Sequence, residues 1–214
     1  FAIYSFAYTL ISLFYILLNS VQMVIYPYLT RAKENTYKQV YEVIRISITM
    51  LMSVTLCGYF VIKFIVATFL PQYTDSFRIL IFLVPTVIYS GQINILIGNY
   101  YKVLQKTKEY TQNNIIAFIL SIITNVIAYI LYKDIAAIAV ATLISFILWL
   151  VYSDWYFIKT IKVNVTRAYI LDFLVIAIFL FSAYFFEWYI GLFVYIVLLG
   201  ILLAVNNRKD IINL

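Results

Sequence analysis

The run YTQNNIIAFILSIITNVIAYILY (110–132), the pair Lys133-Asp134, and the run IAAIAVATLISFILWLVYS (135–153) together decide the fold. Neither run carries a charge, and each is close to the ~20 residues a helix needs to cross ~30 Å of hydrocarbon. Strands of a membrane barrel would alternate polar and apolar positions over ~10 residues. These runs are apolar on every side and therefore read as helices. Two residues between them leave room only for a tight turn.

The same reading, carried outward between charges, gives five further spans: Ile3 to Tyr26, Ile46 to Leu70, Ile79 to Tyr101, Ala168 to Phe186 and Trp188 to Val205. The expectation is an all-α integral membrane protein with seven transmembrane helices. Composition agrees. The 214 residues are 65% hydrophobic and only 11% charged, with a mean hydropathy of +1.00, whereas soluble domains are ~25% charged. A soluble surface cannot be built from so few charges. Histidine is absent and Cys57 is the only cysteine. That excludes disulfides, Cys/His metal sites and any mechanism needing imidazole. The chain opens at Phe1 inside an apolar run, without the basic start of a signal peptide, which reads as a fragment.

The spans sort the charges. Arg31, Lys33, Lys38, Arg45, Lys102, Lys106, Lys108, Lys159, Lys162, Arg167, Arg208 and Lys209 fall on one set of loops; Lys63, Arg78 and Lys133 belong to the other. Basic residues near span ends are retained in the cytoplasm, so the expected orientation puts Phe1 outside and Leu214 in the cytoplasm. This basic rim also accounts for the net charge of +6 through anionic lipid, without nucleic acid. Tyrosines and tryptophans near the span ends read as interfacial belts. The outer turns are short and carry only Asp75, Asp134 and Glu187 as acids, scattered singly, so no enzyme is expected.

Polar groups at membrane depth are the candidates for function. The third span holds Pro85, Gly91, Gln92 and Asn99, with Gln92 and Asn99 seven residues apart on one face and Asn94 pointing elsewhere. The first span holds Asn19 and Gln22, and the fourth holds Asn125 four residues after Ser121. Each amide either lines a cavity or glues helices together. Lys63 either snorkels to the headgroups or attracts an anionic substrate into a cavity. Asn19, Gln22, Lys63, Gln92, Asn99 and Asn125 form the expected substrate-binding set. Arg31 and Arg45 read as markers of the cytoplasmic mouth, and Asp172 as a partner of Arg167. Ala137, Ala141 and Ser145 make a small-residue packing seam.

Local patterns point to a family. The first span exits through Tyr26-Pro27-Tyr28-Leu29-Thr30-Arg31, and the second ends in Phe69-Leu70-Pro71-Gln72-Tyr73 before Leu80 and Leu83. The fifth opens on Ala136-Ala137-Ile138-Ala139-Val140-Ala141. Together these resemble the C-terminal half of polysaccharide flippases, in the superfamily of multidrug, oligosaccharidyl-lipid and polysaccharide exporters. The chain lacks the glycines that the family commonly has in the turns after the second span and before the fifth.

The resemblance implies a C-terminal lobe at residues 1–165, a terminal hairpin at 166–207 and a cytoplasmic tail at 208–214, within a transporter of 12 to 14 helices whose N-terminal lobe is absent here. It implies alternating access in the inner membrane, flipping an undecaprenyl-pyrophosphate-linked oligosaccharide for O-antigen or capsule synthesis. The implied partners are that lipid-linked substrate, membrane lipids and other polysaccharide-assembly proteins. No cofactor or metal is implied, and coupling to H+ or Na+ stays open. The alternatives are a multidrug and toxic compound exporter of the same superfamily and, further off, a membrane sugar polymerase.

Overall fold

The computed structural model describes residues 2–31 and 34–212, except for the side chains at 2–3, 17, 19–21, 23–24, 28, 34 and 207–212. Among the described residues the chain folds into helices joined by short links, with no strand. The helices are α1 (Ala2–Arg31), α2 (Tyr37–Thr55), α3 (Cys57–Phe69), α4 (Phe77–Leu83), α5 (Thr86–Gly91), α6 (Gly98–Val103), α7 (Thr107–Tyr132), α8 (Ile135–Ile161), α9 (Thr166–Phe185) and α10 (Trp188–Ile212).

Five stretches are long and apolar enough to cross a membrane: Tyr37–Phe69, Thr107–Tyr132, Ile135–Ile161, Thr166–Phe185 and Trp188–Asn206. A sixth is a bent pair, Pro71–Leu83 with Thr86–Val103, which turns by 49°. The remaining expected span falls in α1, a helix of 30 residues whose described apolar stretch is Tyr4–Ile16. These lengths and their composition mark a multi-pass membrane protein.

The tight turn has a local cause. Lys133 takes a left-handed φ of 49° and closes α7, while the Asp134 carboxylate caps α8 by accepting from the Ala136 amide at 3.2 Å. Both are ordinary helix stop and start devices, placed back to back. The bend in the third span also has a cause. Pro85 cannot donate a backbone hydrogen bond, and the helix breaks at Val84-Pro85 before resuming as α5. It then widens into a π-helical segment, Gln92–Ile97, ahead of α6. Extra turns of this kind shift the side chains that follow and recur at functional sites.

The helix ends collect into two groups. Tyr100 donates to the Tyr37 carbonyl at 2.9 Å, the Asn164 amide donates to Glu42 at 2.6 Å, and Tyr41 packs on Phe157. The connections after α1, α6 and α8 therefore share one end of the bundle. At the other end Phe6 stacks on Tyr73, Phe64 packs on Trp188, and Arg78 lies near Asp134. The sorting of basic residues is thus a sorting in space: Lys38, Lys102, Lys106, Lys159 and Lys162 crowd the first end.

The terminal hairpin of α9 and α10 is built into the rest. Tyr59, Phe60, Phe179 and Tyr195 form a ring cluster, and the Tyr195 hydroxyl reaches the Ser53 carbonyl at 2.7 Å. A Cβ on Gly191 would stand 2.7 Å from the Ser182 carbonyl oxygen, so only glycine lets α10 lie this close to α9.

Candidate functional site

Two polar constellations occupy the membrane-spanning region, on different sides of the bent span. The first is an open cleft of about 490 Å³ between α1, the bent span and α8. From α1 come Tyr4, Tyr8, Tyr15 and Gln22; from the bent span Thr86, Ser90 and Asn94; from α8 Thr142, Phe146 and Trp149. None of the lining residues is charged. The polar groups are held by short-range bonds that leave a face toward the cleft. The Asn94 amide donates to the Ser90 carbonyl at 2.9 Å and to its hydroxyl at 3.0 Å. Tyr15 and Thr86 hydroxyls stand 3.4 Å apart. Thr142 donates to Asn125 Oδ1 at 3.3 Å. The Trp149 indole N–H meets no protein acceptor among the described residues. Hydroxyls, amides and aromatic rings without charge suit a neutral, hydroxyl-rich ligand with apolar faces.

The second constellation is sealed. Arg45, Thr49, Gln92 and Asp154 have no exposed surface, and Asp172 has 1%. Arg45 Nη2 donates to Asp172 Oδ2 at 2.9 Å and lies 3.6 Å from Asp154 Oδ2. The Thr49 hydroxyl and the Gln92 amide both donate to Asp172 Oδ1 at 2.8 Å. The Tyr41 hydroxyl donates to Asp154 Oδ1 at 2.5 Å. The Arg45 guanidinium lies 5.6 Å from the Tyr169 ring centre, a cation–π distance. Arg45 sits eight residues into α2, Asp172 six residues into α9 and Asp154 seven residues from the end of α8. At 1.5 Å per residue all three lie roughly 10 Å in from the same end.

Sequence-based candidates divide between these places. Gln22 lines the cleft, and Asn125 supports it by receiving Thr142 while bonding its own helix at the Ser121 carbonyl. Gln92 belongs to the sealed cluster. Asn99 is 1% exposed, outside the cleft lining, and bonds the Ile95 carbonyl of its own turn. Lys63 is half-buried on α3, outside the cleft lining. The Asn19 side chain lies outside the described residues.

Three sequence readings are corrected. Arg45 does not mark a helix mouth, because α2 begins at Tyr37 and carries it into the core. Asp172 pairs with Arg45, while Arg167 is engaged with Asn206, its Nε donating to Oδ1 at 3.1 Å. The expected fifth span closes at Ser153, whereas α8 continues to Ile161 and carries Asp154 into the core. A signal existed in the spacing: Tyr41, Arg45 and Thr49 fall at i, i+4 and i+8 beside Ile48 and Met52, which defines one buried helical face. Asn94 points away from Gln92, as expected, and that direction is the cleft.

No protein family, curated protein or solved structure matches this chain.

Proposed function

We propose that this chain is one lobe of a membrane transporter that moves a lipid-linked oligosaccharide between leaflets. One observation carries the reading: an open cleft at membrane depth whose described lining combines hydroxyls, amides and aromatic rings with Ile11, Leu18 and Leu83 and holds no charge. Polar groups facing open space inside a bilayer are costly unless water or a polar ligand meets them. A glycan offers hydroxyls to Asn94, Ser90, Thr86 and Gln22, and its apolar ring faces can lie against Tyr8, Tyr15 or Trp149. Its polyprenyl tail can stay in the hydrocarbon alongside. The described lining carries no carboxylate, which favours a neutral glycan over a cationic drug. A second lobe, which the family resemblance implies, would close the cleft and supply cations for the pyrophosphate.

The bent span suits alternating access, since broken helices at a site are a recurring feature of transporters. The orientation belongs to the same proposal: the crowded basic end faces the cytoplasm. The test is chromosomal replacement of Asn94 by Leu together with Trp149 by Ala, in the cells that make the protein. The expected outcome is loss of surface polysaccharide with build-up of its lipid-linked precursor, at unchanged protein level. Normal surface polysaccharide at unchanged protein level would sink the reading, and drug sensitivity in its place would move it to multidrug export.

A further inference from the structure

Two carboxyl groups share one guanidinium in the sealed cluster, and fully ionised they would leave one negative charge uncompensated. Such a charge is expensive at this depth. The two acids are not equivalent. Asp172 receives the guanidinium at 2.9 Å together with the Thr49 hydroxyl and the Gln92 amide. Asp154 receives the Tyr41 hydroxyl on Oδ1 and faces the Tyr169 hydroxyl, and its Oδ2 stands 3.6 Å from Arg45, beyond hydrogen-bond range. The Gln92 Oε1 acceptor, equally buried, meets no donor from the protein among the described residues. Environments this unequal separate two acids into an anion and a proton carrier.

We propose that the cluster is a binding site for one exchangeable proton, held by the Asp154 carboxyl, with Asp172 as the anion that pairs with Arg45. The inference is independent of what the cleft carries. The charged and titratable groups facing Asp154 are Tyr41 and Arg45 from α2 and Tyr169 and Asp172 from α9. On the other sides α5 presents Tyr89 toward Asp172, α6 presents Tyr100 and Tyr101 around Tyr41 and Phe157, and α7 presents neutral Asn113, bonded to Ser153. Arg78 of α4 lies at the opposite end, near Asp134. Releasing the proton sets two anions against one arginine across the junction of α8 and α9. Tyr169, near the start of α9, is half-buried and borders Asp154.

The test uses the purified full chain in detergent, compared with Asp154→Asn and Asp172→Asn. Infrared spectra at neutral pH should show a carboxylic-acid carbonyl band, shifted by D2O and absent from Asp154→Asn. Because the folded state binds a proton that the unfolded chain gives up, the thermal midpoint should fall as pH rises through the site's range. In Asp154→Asn that fall should vanish and the midpoint at neutral pH should lie at or above the parent's, since the amide mimics the neutral acid without having to take up a proton. Asp172→Asn should show a lower midpoint and a weakened acid band, because Asp154 becomes the carboxyl that must ionise to balance Arg45. The proposal is overturned if no acid band is seen or if Asp154→Asn does not fold. It is equally overturned if stability follows Na+ rather than pH when K+ keeps ionic strength constant.

Discussion

Arg45 is the residue on which most depends, because it is fully buried and its guanidinium meets Asp172, Asp154 and Tyr169, all from other helices. Replacing it by Met keeps the volume but leaves Asp172 as an anion with no cation. Breaking a buried pair in this way costs about 3–5 kcal/mol. The double variant Arg45→Met with Asp172→Asn removes both charges and should recover most of that loss. Thermal unfolding of the purified variants measures both, and a double variant no better than the single would show that the guanidinium acts through packing instead. Arg45 also shows where sequence reading stops. Lys63 and Asp172 fall inside the expected spans, but a charge at the edge of an apolar run reads as its boundary, which leaves Arg45 in a loop and closes the fifth span just before Asp154. Gln92, uncharged, was recognised as membrane-embedded, but which helix it bonds to depends on tertiary packing.

At the scale of elements, the order of the spans from Thr107 onward was legible because two of their breaks are chemical, the Lys133-Asp134 turn and Glu187, whereas the end of α8 at Lys162, with its left-handed φ of 56°, lies beyond the expected close at Ser153. The bent span was legible only in part. Pro85 announces the break, but the π-helical widening after Gly91 carries no comparable sequence mark. Asn94 and Gln92, two residues apart, serve opposite sides of one span, as ordinary helical spacing already implies. The α9–α10 contact gives a separate prediction. Gly191→Ala places a methyl against the Ser182 carbonyl and the Phe60 ring, at 2.7 and 2.8 Å. The expected cost is about 1–3 kcal/mol, read as a lower thermal midpoint together with faster protease cutting between α9 and α10. An unchanged midpoint would mean that the two helices separate without strain.

For the whole molecule, the spatial gathering of basic residues makes a direct topological prediction. In a Cys57→Ala background, cysteines at Lys106 and Lys162 should be labelled from one compartment, and cysteines at Asp75 and Lys133 from the other. Labelling of positions 106 and 162 from opposite compartments would break the alternation on which both span assignment and orientation rest. The Lys133-Asp134 turn adds a consequence for biosynthesis. Described α7 is buried almost only where α8 covers it, and the link between them has no slack. The pair therefore enters the bilayer as one hairpin: a nascent chain halted after Tyr132 has half of a unit, and becomes stably seated only once its second arm has left the ribosome.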